Sequence, residues 1–317
     1  MSEEKQFFPG ISIVMPTLNC RYLIESHADE IRDLCSSVGE IVIVDSYSDD
    51  GTVDFLKTVL AGLPFQVIQR PRGLYESWNA GIKECRGRWI HLSTAGDLLG
   101  SAELGYLEEV AGKTGADVVM GIPRFVNTGG VRIEDPPWPI VELFERRKDE
   151  DVIEMSGLDL LAFSLACCRV DRRKQSWLGS SASNLYSASC LKKYPFPSSV
   201  GSSGDALWGL RHADKVSAVF CRRRSGRFVV HEKPAGGPAP RKKKVSLLYT
   251  DAWIESAEHL VAALDEKGVG MEVTELFKAM LKDQVTLSRV LKRRRRSATR
   301  KFLRQTRRLI SRFFVRS

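Results

Sequence analysis

Three polar clusters, each following a short apolar run, carry the groups that could do chemistry. Pro16-Thr17-Leu18-Asn19 follows residues 11–15, Asp45-Ser46-Tyr47-Ser48-Asp49-Asp50-Gly51-Thr52 follows 40–44, and Ser93-Thr94-Ala95-Gly96-Asp97 follows 88–92. In an open parallel sheet, ligands gather at the carboxyl ends of the strands, where loops meet and helices present N-terminal amides. Two carboxylates at such ends, Asp45 and Asp97, would converge on one rim. One acid can accept from a base or ribose, and the other can anchor a divalent cation that neutralises diphosphate oxygens. The pattern therefore suits a nucleotide with its metal. Simpler roles compete: Asp49 or Asp50 is placed to cap a helix beginning at Thr52, and Asp97 one beginning near Ser101. Asp45 ends an apolar strand directly, where capping is less natural.

The elements that must position these residues alternate between two periods. Apolar runs at 11–15, 40–44, 65–69, 88–92 and 117–120 predict short strands. Helical spacing predicts helices over 22–38, 52–63, 74–85 and 101–112. Strands separated by helices of this length imply an α/β fold, a mainly parallel sheet covered on both faces. From 127 to 175 the pattern weakens around a stiff Asp135-Pro-Pro-Trp-Pro139 segment and a charged run at 145–151. Beyond the loop Lys233-Pro-Ala-Gly-Gly-Pro-Ala-Pro240, helical spacing returns at 247–264 and 273–291.

Composition narrows the class. Of 317 residues, 43% are hydrophobic and 27% charged, which excludes disordered and fibrous chains. The longest apolar stretch, 158–168, is too short to cross a bilayer, and the start MSEEKQFF has no secretory h-region. Seven cysteines without a CxxC pair argue against a disulfide framework or zinc ribbon and for a reducing, cytosolic setting. Most of these thiols are expected as small core residues. The net charge of +9 is uneven: no acidic side chain follows Asp283, and Arg289 to Arg316 hold 13 basic residues, leaving the preceding chain at net −4.

The order of the motifs resembles family 2 glycosyltransferases of the GT-A fold. Ile11-Ser-Ile-Val-Met-Pro-Thr-Leu-Asn19, with Glu40-Ile-Val-Ile-Val-Asp45 running through Asp50-Gly-Thr52, is similar to the family's P-T-x-N turn and V-D-x-x-S-x-D-G-T segment. Arg72-Gly-Leu-Tyr-Glu-Ser-Trp-Asn79-Ala-Gly-Ile82 looks like K-G-I-Y-D-A-M-N-x-G-I. Gly87-Arg-Trp-Ile-His-Leu-Ser-Thr-Ala-Gly-Asp97 resembles a segment ending in N-S-G-D, and Asp205-Ala-Leu-Trp-Gly-Leu-Arg211 the later D-x-x-L-x-x-R. A glycine pair, Gly236-Gly237, falls where the family often has one, so the resemblance covers roughly 11–237.

The resemblance implies inverting transfer from a nucleotide-diphosphate sugar, with Asp205 as general base. It implies that Asp97 holds Mg2+ or Mn2+, and that Asp45 and Thr17 hold base and ribose. Pro16, Asn19, Arg72, Asn79, Thr94 and Gly96 fall at positions that approach the nucleotide sugar. Other roles stay open: Asp205 as a helix N-cap, Asn79 as a turn-stabilising polar residue inside its helix, Trp78 as a stacking or a packing ring. His91 suits a packed histidine better than a ligand, while His231 at a strand end could reach a metal. Thr94 and Gly96 stand where many relatives carry a D-x-D, so Asp97 is the only carboxylate there, and a nucleotide-sugar-binding scaffold is the first rival.

Residues 1–237 are thus expected to form the catalytic domain, 238–291 a helical extension and 292–317 a basic amphipathic tail. In that tail Phe302/Leu303, Leu309/Ile310 and Phe313/Phe314 would share one helical face amid arginines, the signature of an interfacial helix on an anionic membrane. Residues 289–317 are therefore expected at the inner face of the cell membrane, with the body cytoplasmic and a glycan or lipid-linked acceptor. The setting implied is bacterial surface polysaccharide or glycolipid assembly. A nucleic-acid partner is not expected, because no RNA-reading motif accompanies the arginines. The processive branch's Q-x-x-R-W motif and membrane spans are missing too, which favours transfer of one sugar at a time.

Overall fold

The structure, a computed structural model, describes residues 6–94, 96–167, 176–198, 200, 203–230 and 242–266, with the side chains of 242–250 and 265 excepted. Eight strands among the described residues form one sheet: β1 (Phe8–Thr17), β2 (Val38–Asp45), β3 (Phe65–Gln69), β4 (Trp89–Leu92), β5 (Val118–Val126), β6 (Val152–Ser156), β7 (Asn184–Ser187) and β8 (Ser217–Val229). Their order is β3-β2-β1-β4-β7-β5-β8-β6. β1 pairs in parallel with β2 and β4, β2 with β3, and β5 with β8, while β7 runs antiparallel to β4 and β5, and β6 to β8. Six strands therefore point their carboxyl ends at one rim. The expected mainly parallel α/β sheet is what forms.

The helices are α1 (Arg21–Ser26), α2 (Ala28–Ser36), α3 (Thr52–Val59), α4 (Leu74–Glu84), α5 (Ser101–Thr114), α6 (Pro139–Arg146), α7 (Gly157–Cys167), α8 (Ala188–Lys193), α9 (Gly204–His212) and α10 (Lys242–Glu266). Alternation along the central strands divides the core. Ile13, Met15, Ile41 and Ile43 face one layer, with buried residues of α2, α3 and α5, while Val14, Val42, Val44, Ile90 and Leu92 face the other, with α4, α7, α9 and α10. All nine are fully buried, each contributing about 1.5–3 kcal/mol of apolar burial. α4 lies close on β1 because Gly81 has no side chain: a Cβ there would sit 2.5 Å from Val14 Cγ1.

Three expectations change in detail. The helix expected over 22–38 is two, because the backbone at His27 leaves helical values (φ −133°, ψ 20°), and Val38 already opens β2. The weakly patterned stretch from 127 onward holds α6, β6 and α7; Pro139 stands in the first turn of α6, where its missing N–H costs nothing. The helix expected at 247–264 is α10, whose Ala252, Trp253, Ala257 and Leu260 join the same core as α7 and α9, with Trp253 Nε1 donating to the Leu165 carbonyl (3.1 Å). Five of the six described cysteines are buried, and burial pushes the thiols of Cys35, Cys85 and Cys190 up to about 12. The 233–240 loop, His231, Gly236, Gly237, the 273–291 segment and the 289–317 tail lie outside the described residues. No described helix is long and apolar enough to cross a membrane.

Candidate functional site

The parallel register of β1 and β2 sets Thr17 opposite Asp45 at their carboxyl ends. Asp45 is fully buried and its carboxylate is fully engaged. Thr17 Oγ1 (3.0 Å) and Ser48 Oγ (2.6 Å) donate to Oδ1, and the Ser48 N–H donates to Oδ2 (2.9 Å). Asn19 laces the two loops together: its N–H donates to Ser48 Oγ (3.0 Å) and its Oδ1 accepts from the Asp49 N–H (3.0 Å). Asn19 (φ 45°) and Tyr47 (φ 59°) both occupy the left-handed region, strain of about 1–3 kcal/mol per residue held by this network. Gly51, not Asp49 or Asp50, stands at the N-cap of α3; Asp50, one residue earlier, accepts from the N–H groups of Thr52 and Arg21 (both 3.0 Å) and so fixes the starts of α3 and α1.

The loop after β4 is tied to the far side of the sheet. Thr94 Oγ1 accepts from the Asp97 N–H (3.0 Å), Asp97 Oδ1 accepts from the Val229 N–H at the end of β8 (2.8 Å), and the Arg227 N–H donates to the Leu98 carbonyl (2.6 Å). Asp97 is half-buried, and Gly96 leaves its surroundings open. Among the described residues no three His, Cys, Asp or Glu side chains gather to hold a metal. Next to β3, the Arg70 N–H donates to the Asp45 carbonyl (3.0 Å), and Arg70 Nη1 reaches the Gly73 carbonyl (3.1 Å) and Ser77 Oγ (3.2 Å). Arg72 is exposed, with no ion pair among the described residues.

Asp205 lies in the first turn of α9, half-buried. Its Oδ1 accepts from the Tyr75 hydroxyl (2.9 Å) and from the Ala206 N–H (2.7 Å). Burial of the carboxyl raises its proton affinity above that of an ordinary aspartate, against the lowering effect of these two donors and of its own backbone N–H. Asn79 does not present a free amide to a ligand. Its Nδ2 donates to the Phe196 carbonyl (2.7 Å) and its Oδ1 accepts from the Phe196 N–H (2.9 Å). It is a tie between α4 and the segment leading to α9, across elements rather than within its own helix. Trp78 packs rather than presenting a face, 5.2 Å edge-on to Tyr75 and 5.1 Å from Phe196. His91 is fully buried with Nδ1 against the Asn184 carbonyl (3.0 Å), and burial pushes its imidazole down to about 4.

The structure thus gathers Pro16, Thr17, Asn19, Asp45, Thr94, Gly96 and Asp97 on the loops of one rim, and engages the Asn79 amide with the Phe196 backbone. Sequence reasoning missed Tyr75 and Arg70. The signal for Tyr75 was available, since a tyrosine on an apolar helical face needs a partner for its hydroxyl. Nothing local named that partner.

Residues 12–174, just over half of the chain, match the profile of Glycosyl transferase family 2. The chain belongs to glycosyl transferase family 2. The chain is 31% identical over 99 residues to the PGL/p-HBAD biosynthesis glycosyltransferases of Mycobacterium bovis and Mycobacterium tuberculosis, a match covering 30% of this chain and 38% of theirs. Among solved structures it is similar to residues 1–349 of S. aureus TarS in complex with UDP-GlcNAc, with a TM-score of 0.58 and 15% identity over 86% of this chain and 72% of that one. The TarS complex with UDP gives a TM-score of 0.54 at 14% identity over 86% and 70%. At such identity the likeness is one of fold, and the fold is GT-A, as the motif order implied.

Proposed function

We propose that this glycosyltransferase moves one sugar from a nucleotide-diphosphate sugar to a hydroxyl of a glycan or lipid-linked acceptor, inverting the anomeric centre. The observation that carries the reading is Asp205: Oδ1 is held by the Tyr75 hydroxyl and the Ala206 N–H, and no other residue among the described ones donates to Oδ2. A carboxylate held by one oxygen can accept a proton through the other. Oδ2 takes the acceptor hydroxyl's proton as that oxygen attacks the anomeric carbon. The bond from carbon to the diphosphate oxygen breaks, and the nucleoside diphosphate leaves with the electron pair.

Asp45 and Thr17 set the floor under base and ribose, with Pro16, Asn19, Thr94 and Gly96 along the same rim, and Arg72, which has no ion pair among the described residues, supplies positive charge for phosphate. The residues present fit a Mg2+ or Mn2+ ion only as a hydrated one shared with the diphosphate, because Asp97 is the sole carboxylate at its motif. Such an ion would neutralise charge on the leaving group. The tail at 289–317 supports a location on the inner, anionic face of the cell membrane, and hence a role in bacterial surface polysaccharide or glycolipid assembly.

The test is a thermal-shift panel of UDP-, GDP- and dTDP-sugars, UDP-GlcNAc included, with Mg2+ or Mn2+. A donor at about 100 times its Kd adds ~2.7 kcal/mol of stability, a shift of several degrees. Sugar transfer or hydrolysis with that donor then separates an enzyme from a scaffold. A panel without any shift counts against donor binding, and binding with no turnover favours the scaffold.

A further inference from the structure

We propose that Tyr75 is a positioning residue for Asp205: its hydroxyl fixes Oδ1, turns Oδ2 toward the acceptor, and sets how readily the carboxylate takes a proton. The proposal rests on the general-base reading of Asp205. The two side chains lie 130 residues apart in sequence, yet the Tyr75 hydroxyl is 2.9 Å from Asp205 Oδ1 and Tyr75 is only 4% exposed.

The phenol cannot drift from that oxygen, because its ring is wedged on three sides. It stacks on Phe196 (5.9 Å, 26°) and meets Trp78 edge-on (5.2 Å, 82°). On the third side it lies against Gly204, where a Cβ would come within 2.5 Å of the ring carbons Cδ2 and Cε2. Phe196 is itself clamped by the Asn79 amide. A continuous path of contacts therefore runs from α4 to the first turn of α9.

The electrostatic surroundings give the hydroxyl its leverage. The titratable groups facing Asp205 are Tyr75 from α4 and Tyr186 from β7, both uncharged at neutral pH, and no Lys or Arg pairs with it among the described residues. Without a cation nearby among the described residues, the Ala206 N–H, the Tyr75 hydroxyl and the N–H of Asp205 itself are the donors that oppose the burial of this carboxylate, and Tyr75 is the one side chain among them. Burial, with the carboxylate beside it, raises the Tyr75 phenol well above its ordinary range, so it stays a donor wherever the enzyme works.

The experiment removes the hydroxyl and keeps the ring. In the full chain, 13C-labelled Asp205 is assigned by the carboxyl resonance missing from Asp205→Asn, then titrated by NMR in wild type and Tyr75→Phe. Loss of one hydrogen bond to a carboxylate predicts a proton affinity raised about tenfold, with the titration displaced to higher pH. Placing 3-fluorotyrosine, a stronger donor, at position 75 displaces it the other way; a variant defective only in packing would not reverse sign. Superposable titrations for wild type and Tyr75→Phe overturn the proposal. Sugar transfer undiminished in Asp205→Asn overturns the general-base reading and this proposal with it, whereas transfer lost in Asp205→Asn alongside superposable titrations overturns the role of Tyr75 alone.

Discussion

Asn79 offers a choice between two roles that predict opposite results. Its amide makes two hydrogen bonds to the Phe196 backbone, at 2.7 and 2.9 Å, and Phe196 stacks on Tyr75. Asn79→Ala deletes both bonds and leaves a backbone N–H and a carbonyl without partners. At about 1–1.5 kcal/mol for each bond, the loss is about 2–3 kcal/mol. For a chain of this size that lowers Tm by roughly 4–8 °C. Thermal unfolding measures this directly, and isothermal titration with the donor found in the panel supplies the contrast. A structural tie predicts the fall in Tm with donor Kd changed less than about threefold, because the amide spends nothing on the ligand. An unchanged Tm with donor affinity lowered tenfold or more would refute the reasoning and return Asn79 to the nucleotide sugar.

Other predictions follow from the same contacts. Tyr47→Gly relieves a left-handed backbone under a side chain that is 58% exposed, and should raise stability by about 1 kcal/mol in chemical denaturation; a lower stability would show that the ring makes contacts worth more than the strain. Titration calorimetry of Mg2+ or Mn2+ should show no binding to the protein alone and binding once nucleoside diphosphate is present, as expected of a single carboxylate; tight binding without nucleotide would refute the shared-ion reading. His91 is held neutral, with its proton affinity pushed down to about 4 from an ordinary 6.5. The unfolded chain therefore binds a proton that the folded one refuses between those values, and stability should fall as pH drops from about 6.5 to 4, by about 3 kcal/mol from this residue. His91→Leu should flatten that slope in urea unfolding at pH 7 and pH 5. Liposome flotation should recover the full chain with anionic vesicles and lose it on truncation of 289–317; equal recovery of both would refute the membrane reading.

How far the sequence could be read depended on where the physics is local. β1, β2 and their loops were legible because Ile41 to Val44 are buried on both faces, and a doubly covered strand must be apolar throughout. The same runs place Asp45 and Asp97 on one rim. β6 was not legible, since only Ile153 and Met155 of its five residues are buried and it pairs at the edge with β8. β7 is four residues inserted antiparallel between β4 and β5, a pairing that no local pattern announces. The same limit applies in the site. Motif order singled out Asp205 as a candidate, but that Tyr75 holds it and that Asn79 bonds Phe196 depend on partners 130 and 117 residues away.

The central proposal is that Asp205 is the base of a sugar transfer from a nucleotide-diphosphate sugar. Single-turnover transfer by Asp205→Asn, measured beside donor affinity, tests it most directly. The prediction is a rate lowered by about 10²–10⁴ with donor Kd within about twofold, since a neutral amide of the same shape still accepts from Tyr75 but cannot take a proton. A rate within a few-fold of wild type at the same donor affinity would contradict it.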